Sequence, residues 1–118
     1  VAIGLSTTLF CPQDKMPGWD NASYGYHSDD GGMFHGPGTA RQHGPSFGLG
    51  DVVGCGLEYS TRRIFFTKNG EFLGYAFPKV RSSTVDKGLY PTVGVDTECQ
   101  IFTNFGEHPF KFDLRRFE

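Results

Sequence analysis

The sequence predicts an all-β domain, an antiparallel β-sandwich of short strands joined by long loops, with no long helix. Three observations predict it. Apolar residues alternate over short runs and do not recur at helical spacing. Gly, Pro, Asn and Asp break the chain about every ten residues. Phe (12), Tyr (5) and Gly (17 of 118 residues) are frequent, a composition that suits half-buried pleated surfaces and tight turns.

The strongest element is a three-strand meander over residues 50–77. In Gly50-Asp51-Val52-Val53-Gly54-Cys55-Gly56-Leu57-Glu58-Tyr59, Val53, Cys55 and Leu57 fall on one face, and Val52, Gly54 and Gly56 on the other. Glycine inside a strand costs stability, so Gly54 and Gly56 imply the close approach of a backbone or a bulky side chain. After a polar turn, Ile64 and Phe66 share one face and Phe65 takes the other. Asn69-Gly70 is a two-residue hairpin signal that requires positive φ at both positions. In the returning strand, Glu71, Leu73 and Tyr75 oppose Phe72, Gly74 and Ala76.

The other elements follow in chain order. Residues 1–8 alternate as a strand. Residues 9–21 form a loop broken by Pro12, Pro17-Gly18 and Asp20-Asn21. The lone Trp19 in this loop reads first as a plug on the core and second as an exposed anchor. Ser23-Tyr24-Gly25-Tyr26-His27-Ser28 is a strand, Asp29-Asp30-Gly31-Gly32 a turn and Met33-Phe34-His35 a short return. Residues 36–50 are a long loop with an extended piece near Pro45-Ser46-Phe47. Residues 78–87 are a polar, basic loop. Residues 89–95 form a strand, Asp96-Thr97-Glu98 a turn and residues 99–105 the last strand. Residues 106–118 are a capping tail, with Phe110, Phe112, Leu114 and Phe117 packing down.

Length and charge bound the function. One domain is expected from 118 residues. The formal net charge is −2 with both signs dispersed, which argues against a nucleic-acid or membrane-surface binder. No apolar run reaches the roughly 18 residues of a membrane-spanning helix. The opening Val1-Ala2-Ile3-Gly4-Leu5 already reads as strand, so the chain is expected to be a fragment of a longer protein. Three cysteines read as reduced, buried thiols of an intracellular protein.

No catalytic set emerges. His27, His35 and His43 recur at even spacing, but no Cys/His pair has zinc-finger spacing, and hydrogen-bonded or solvated histidines are the better reading. Gly44-Pro45-Ser46-Phe47-Gly48 has the letters of a nucleophile elbow without the strand before and the helix after. No enzymatic activity, cofactor or metal is expected. A scaffold with long loops and no catalytic set is a binding module by default. The alternative is a carbohydrate-binding or glycoside-hydrolysing β-sandwich, of which the hydrolase would need a cleft with paired carboxylates.

Several motifs occur together in order: Pro17-Gly18-Trp19-Asp20, Tyr24-Gly25-Tyr26-His27-Ser28-Asp29-Asp30-Gly31, Gly50-Asp51-Val52-Val53-Gly54-Cys55, Phe66-Thr67-Lys68-Asn69-Gly70, Leu89-Tyr90-Pro91-Thr92-Val93-Gly94 and Asn104-Phe105-Gly106. Over essentially the whole chain they resemble a SPRY domain. The chain is most similar to the family of Ran-binding proteins of the microtubule-organising centre, scaffold subunits of a ubiquitin ligase with LisH and CTLH domains. The SPRY domains of fungal endosomal adaptors for a HECT-type ligase are a second resemblance.

The resemblance implies a bent, concanavalin-like sandwich, lacking the first strands of a full domain, that binds a peptide of a partner protein through edge loops. Residues 11–21, 33–47, 78–87 and 96–98 are the loops in question. The partner-binding residues it implies are Gln13, Lys15, Met16, Trp19, Asp96, Thr97 and Glu98. Relatives that read an Asn-rich peptide carry Trp-Gly where this chain has Thr97-Glu98, so that ligand is not expected. Ran binding, suggested by the family's name, is not expected either, because the sequence has no basic stripe. The expected setting is a multi-subunit complex in the cytoplasm, extending to the nucleus.

Overall fold

A computed structural model describes residues 1–118 except Asp14, Thr97, Cys99 and Glu118, and except the side chains of Arg116 and Phe117. Its strands are β1 (Ala2–Ser6), β2 (Ser23–His27), β3 (Gly32–Phe34), β4 (Gln42–His43), β5 (Val53–Glu58), β6 (Arg63–Lys68), β7 (Glu71–Phe77) and β8 (Tyr90–Gly94). They form a five-stranded sheet in the order β4-β3-β2-β1-β8 and a three-stranded sheet in the order β5-β6-β7. Every strand pairing is antiparallel.

The core lies between the sheets. Tyr24, Tyr26 and Met33 meet Ile64, Phe66, Ala76, Phe77 and Val80, with Val53, Cys55 and Leu57 of β5 packed against them. Phe65 takes the opposite face, as its place between Ile64 and Phe66 requires. There it packs against Phe72, Tyr75 and Phe112. The two strand glycines serve this outer layer. A Cβ on Gly56 would come within 2.5 Å of the Phe65 ring Cε1 and a Cβ on Gly54 would collide with the Thr67 hydroxyl. The hairpin turn is as expected, with φ of 52° at Asn69 and 86° at Gly70.

Several elements differ from the sequence reading. The returning strand does not alternate strictly. Phe65 pairs with Tyr75 and Thr67 with Phe72, so β7 carries an extra residue, and a further shift follows before Ile64–Phe77. The bulge at Gly74, φ 97°, puts Phe72 and Tyr75 on the same face. Residues 78–87 contain a short helix, α1 (Ser82–Lys87), closed by Gly88 at φ 101°, whose N–H donates to the Val85 carbonyl. The extended piece in the long loop is Gln42–His43 and not residues 45–47.

Residues 100–105 are not a strand. Asn104 takes over the local backbone: its Oδ1 accepts from the N–H groups of Gly106 and His108, and its amide donates to the His108 carbonyl. Such side-chain bonds compete with strand pairing. Cys99 lies outside the described residues. In the tail Phe112 packs down as expected, Phe110 and Leu114 stay about half exposed, and the Phe117 side chain lies outside the described residues. Cys11 is exposed, contrary to the buried-thiol expectation, whereas burial pushes the Cys55 thiol up to about 12.

Candidate functional site

From Met16 onward the loop of residues 11–21 does not hang free. It folds over the outer face of the five-stranded sheet. In the register of that sheet, Gly4 pairs with Gly25, Ala2 with His27 and Ala2 with Gly94. Gly25 and Gly94 leave space, and the loop fills it. A Cβ on Gly25 would stand 2.6 Å from the Pro17 carbonyl carbon and closer still to its oxygen. A Cβ on Gly94 would stand 2.6 Å from the Met16 sulfur. Pro17 is fully buried at this seam.

Hydrogen bonds fix the loop. Gly18, at φ 99°, donates its N–H to the Ser23 hydroxyl at 2.7 Å. That hydroxyl donates to the Asp20 carboxylate at 3.0 Å, which also accepts from the Ala22 N–H. His27 Nε2 donates to the Pro17 carbonyl at 2.8 Å. Gly36 donates to the carbonyls of Gly18 and Asp20, tying the loop to the segment after β3. The loop therefore loses little entropy when something binds to it.

Trp19 is not a core plug. It is 48% exposed, with its ring stacked at 5.9 Å on His27. Lys15, Trp19, Pro37 and Gly38 line an open depression of about 360 Å³. Lys15 pairs with Asp20 at 3.6 Å. On the neighbouring edge, β8 ends at Gly94, under Met16, two residues before Asp96. Asp96 accepts from the Val1 amino group at 3.2 Å. That bond and charge hold its carboxyl below the usual range, and His27 adds to the effect.

Of the sequence-predicted residues, Lys15, Met16, Trp19 and Asp96 therefore belong to one surface. Gln13 and Glu98 are exposed. Thr97 lies outside the described residues. The sequence reading missed His27, which carries both Trp19 and Pro17, whereas Pro37 and Gly38 of the rim fall in the loop of residues 33–47 that it did name. The alternation of Ser23-Tyr24-Gly25-Tyr26-His27 put His27 on the face opposite the tyrosines, and that was the available signal.

His35 Nδ1 donates to the Ser23 carbonyl at 2.9 Å, and burial lowers its pKa. Ser46 lies exposed in an irregular segment that leads into β5 and not into a helix. Among the described residues, the carboxyls with displaced pKa values, Asp51, Glu58, Asp96 and Asp113, are all shifted down. A glycosidase acid needs the opposite shift.

Comparison with known proteins agrees with this architecture. The SPRY domain family matches residues 1–108. Ran-binding protein 9 of Homo sapiens is 45% identical over 115 residues, covering 97% of this chain and 15% of its own length. The Drosophila melanogaster Ran-binding proteins 9/10 homolog is 44% identical over 114 residues, 96% of this chain and 11% of its own length. The Arabidopsis thaliana Ran-binding protein M homolog is 37% identical over 119 residues, 100% of this chain and 24% of its own length. The chain thus spans a minor part of these curated relatives. A crystal structure of a human SPRY domain superposes with a TM-score of 0.63 at 36% identity, covering 76% of this chain and 56% of that one. The chain belongs to the SPRY domain family, and what that membership supports is a protein-interaction module and not an enzyme.

Proposed function

We propose that this domain holds a peptide segment of a partner protein between the loop of residues 11–21 and the segment of residues 96–98. One observation carries the reading: a rigid loop, pinned on the outer sheet face, presents a half-exposed Trp19 beside an open depression, next to the end of β8. Exposed aromatic anchors on preformed loops are the usual energetic centre of such contacts. Asp96 and Glu98 make the β8 side acidic, so a basic stretch in the partner is favoured. Family resemblance extends the proposal to a scaffold role within a multi-subunit ubiquitin ligase of the cytoplasm and nucleus.

The test is calorimetric titration of wild type and the Asp96→Lys/Glu98→Lys variant with a partner peptide, recovered by capture on the wild-type domain. Both residues are exposed, so melting temperature is expected to stay close to wild type while affinity falls roughly tenfold. Equal affinities would move the peptide site elsewhere on the domain.

A further inference from the structure

The depression beside Trp19 has a fixed shape. His27 backs the indole, stacked at 5.9 Å with an interplanar angle of 26°, yet Trp19 is still 48% exposed. Pro37, Gly38 and Lys15 complete the lining. The two segments that meet there are tied together, because the Gly36 N–H donates to the carbonyls of Gly18 and Asp20, each at 3.1 Å. A Cβ built on Gly38 would meet nothing within 4 Å, so the depression is open on that side.

Three constraints define what fits. The first is the main chain. The Trp19 N–H donates to the Met16 carbonyl at 3.1 Å, and the Gly18 N–H donates to the Ser23 hydroxyl at 2.7 Å. The Pro17 carbonyl accepts from His27, and those of Gly18 and Asp20 accept from Gly36. A peptide reaching the loop finds these groups engaged, so it does not add to the loop as a strand. A polyproline II segment has no internal hydrogen bonds and keeps its backbone solvated, so it needs none of them. The second is charge. Lys15 in the lining disfavours a cation, and Asp20 at 3.6 Å weakens the pull of that ammonium on a carboxylate. An uncharged group is favoured. The third is shape. A half-exposed indole beside Pro37 presents a flat apolar surface, and the indole N–H is a donor for a peptide carbonyl.

We propose that the depression lined by Trp19, Pro37 and Gly38 takes a proline of the partner peptide, bound as a polyproline II segment. It rests on the peptide site proposed above and adds the residue class that fills it. The proline ring packs on the indole, and its stiffness limits the entropy lost on binding. The acidic Asp96 side then selects Lys or Arg next to the proline run.

The experiment titrates the isotopically labelled 118-residue chain with a synthetic oligoproline peptide ended by arginines. It is repeated with a peptide of equal length and charge in which alanines replace the prolines. The oligoproline peptide is expected to move the Trp19 indole resonance saturably and to bind roughly tenfold more tightly than the alanine peptide. Trp19→Ala, read at the Gly38 amide, is expected to weaken binding about tenfold, and Trp19→Phe by less than about threefold. Tyr59→Ala removes a 73% exposed aromatic from the turn after β5 and should leave affinity within about twofold. Should Trp19→Ala disturb folding, Pro37→Ala provides the same comparison. Equal affinity for the two peptides, with the indole moving, would overturn the proline assignment and leave the peptide site standing. An indole unmoved by oligoproline, or equal losses in Trp19→Ala and Tyr59→Ala, would also overturn it. The Asp96→Lys/Glu98→Lys titration with the captured peptide then decides separately whether the peptide site stands.

Discussion

Replacing Gly25 by Ala tests whether the loop of residues 11–21 is truly seated on the sheet. The added Cβ would meet the Pro17 carbonyl carbon at 2.6 Å. Carbon atoms in ordinary contact stand about 3.5–4.0 Å apart, so the loop must retreat by about 1 Å. Gly25 is outside the left-handed region, so the effect is steric and not conformational. A retreat of that size takes the 2.8 Å His27–Pro17 bond and the 2.7 Å Gly18–Ser23 bond out of range. Overpacking costs about 1–3 kcal/mol and each lost bond about 0.5–1.5 kcal/mol. The entropy gained by removing a strand glycine returns about 0.5–1 kcal/mol. The net loss is then about 1–5.5 kcal/mol, or roughly 4–22 °C in Tm for a chain of this length. Thermal unfolding followed by Trp19 emission reads both stability and the lone indole's environment. An unchanged Tm together with an unchanged emission maximum would refute the seating of the loop.

Two further outcomes follow from the same packing. Gly56→Ala pushes the Phe65 ring, already wedged by Phe72, Tyr75 and Phe112, and should destabilise by about 1–2 kcal/mol in urea titration; a wild-type midpoint would show that the ring has room to move. Burial depresses the His35 pKa below its ordinary 6.5. The unfolded chain therefore binds the proton more readily, so the contribution of His35 to stability is present above about pH 6.5 and is lost as pH falls below it. His35→Phe should flatten Tm between pH 7 and pH 5 relative to wild type, and parallel pH profiles would count against the assignment.

The sequence made the three-strand meander legible because its determinants are local. Alternation placed Val53, Cys55 and Leu57 inward, Asn69-Gly70 pinned the turn, and Gly54 and Gly56 implied the bulky neighbours that Thr67 and Phe65 supply. Features set by tertiary contacts were not legible. The bulge at Gly74 is a matter of pairing with β6. The helix at Ser82–Lys87 is too short for periodicity and is held by Val80 and Val85 against the core. Residues 100–105 carry strand-like alternation, but Asn104 turns the backbone onto itself.

The site divides in the same way. Lys15, Met16 and Trp19 lie in a loop that its Pro and Gly residues announce. Their nearness to Asp96 depends on β8 pairing beside β1, a contact across some ninety positions. His27 joins the two only because β1 lies between β2 and β8.

The most direct test of peptide recognition is amide and indole chemical-shift mapping on the isotopically labelled domain during titration with the captured partner peptide. The largest changes are expected at the Trp19 indole and at the amides of Lys15, Met16, Asp96 and Glu98, with His27 following through its ring contact to Trp19. Changes confined to residues 100–105 or to the Phe110–Arg115 tail, with Trp19 unmoved, would contradict it.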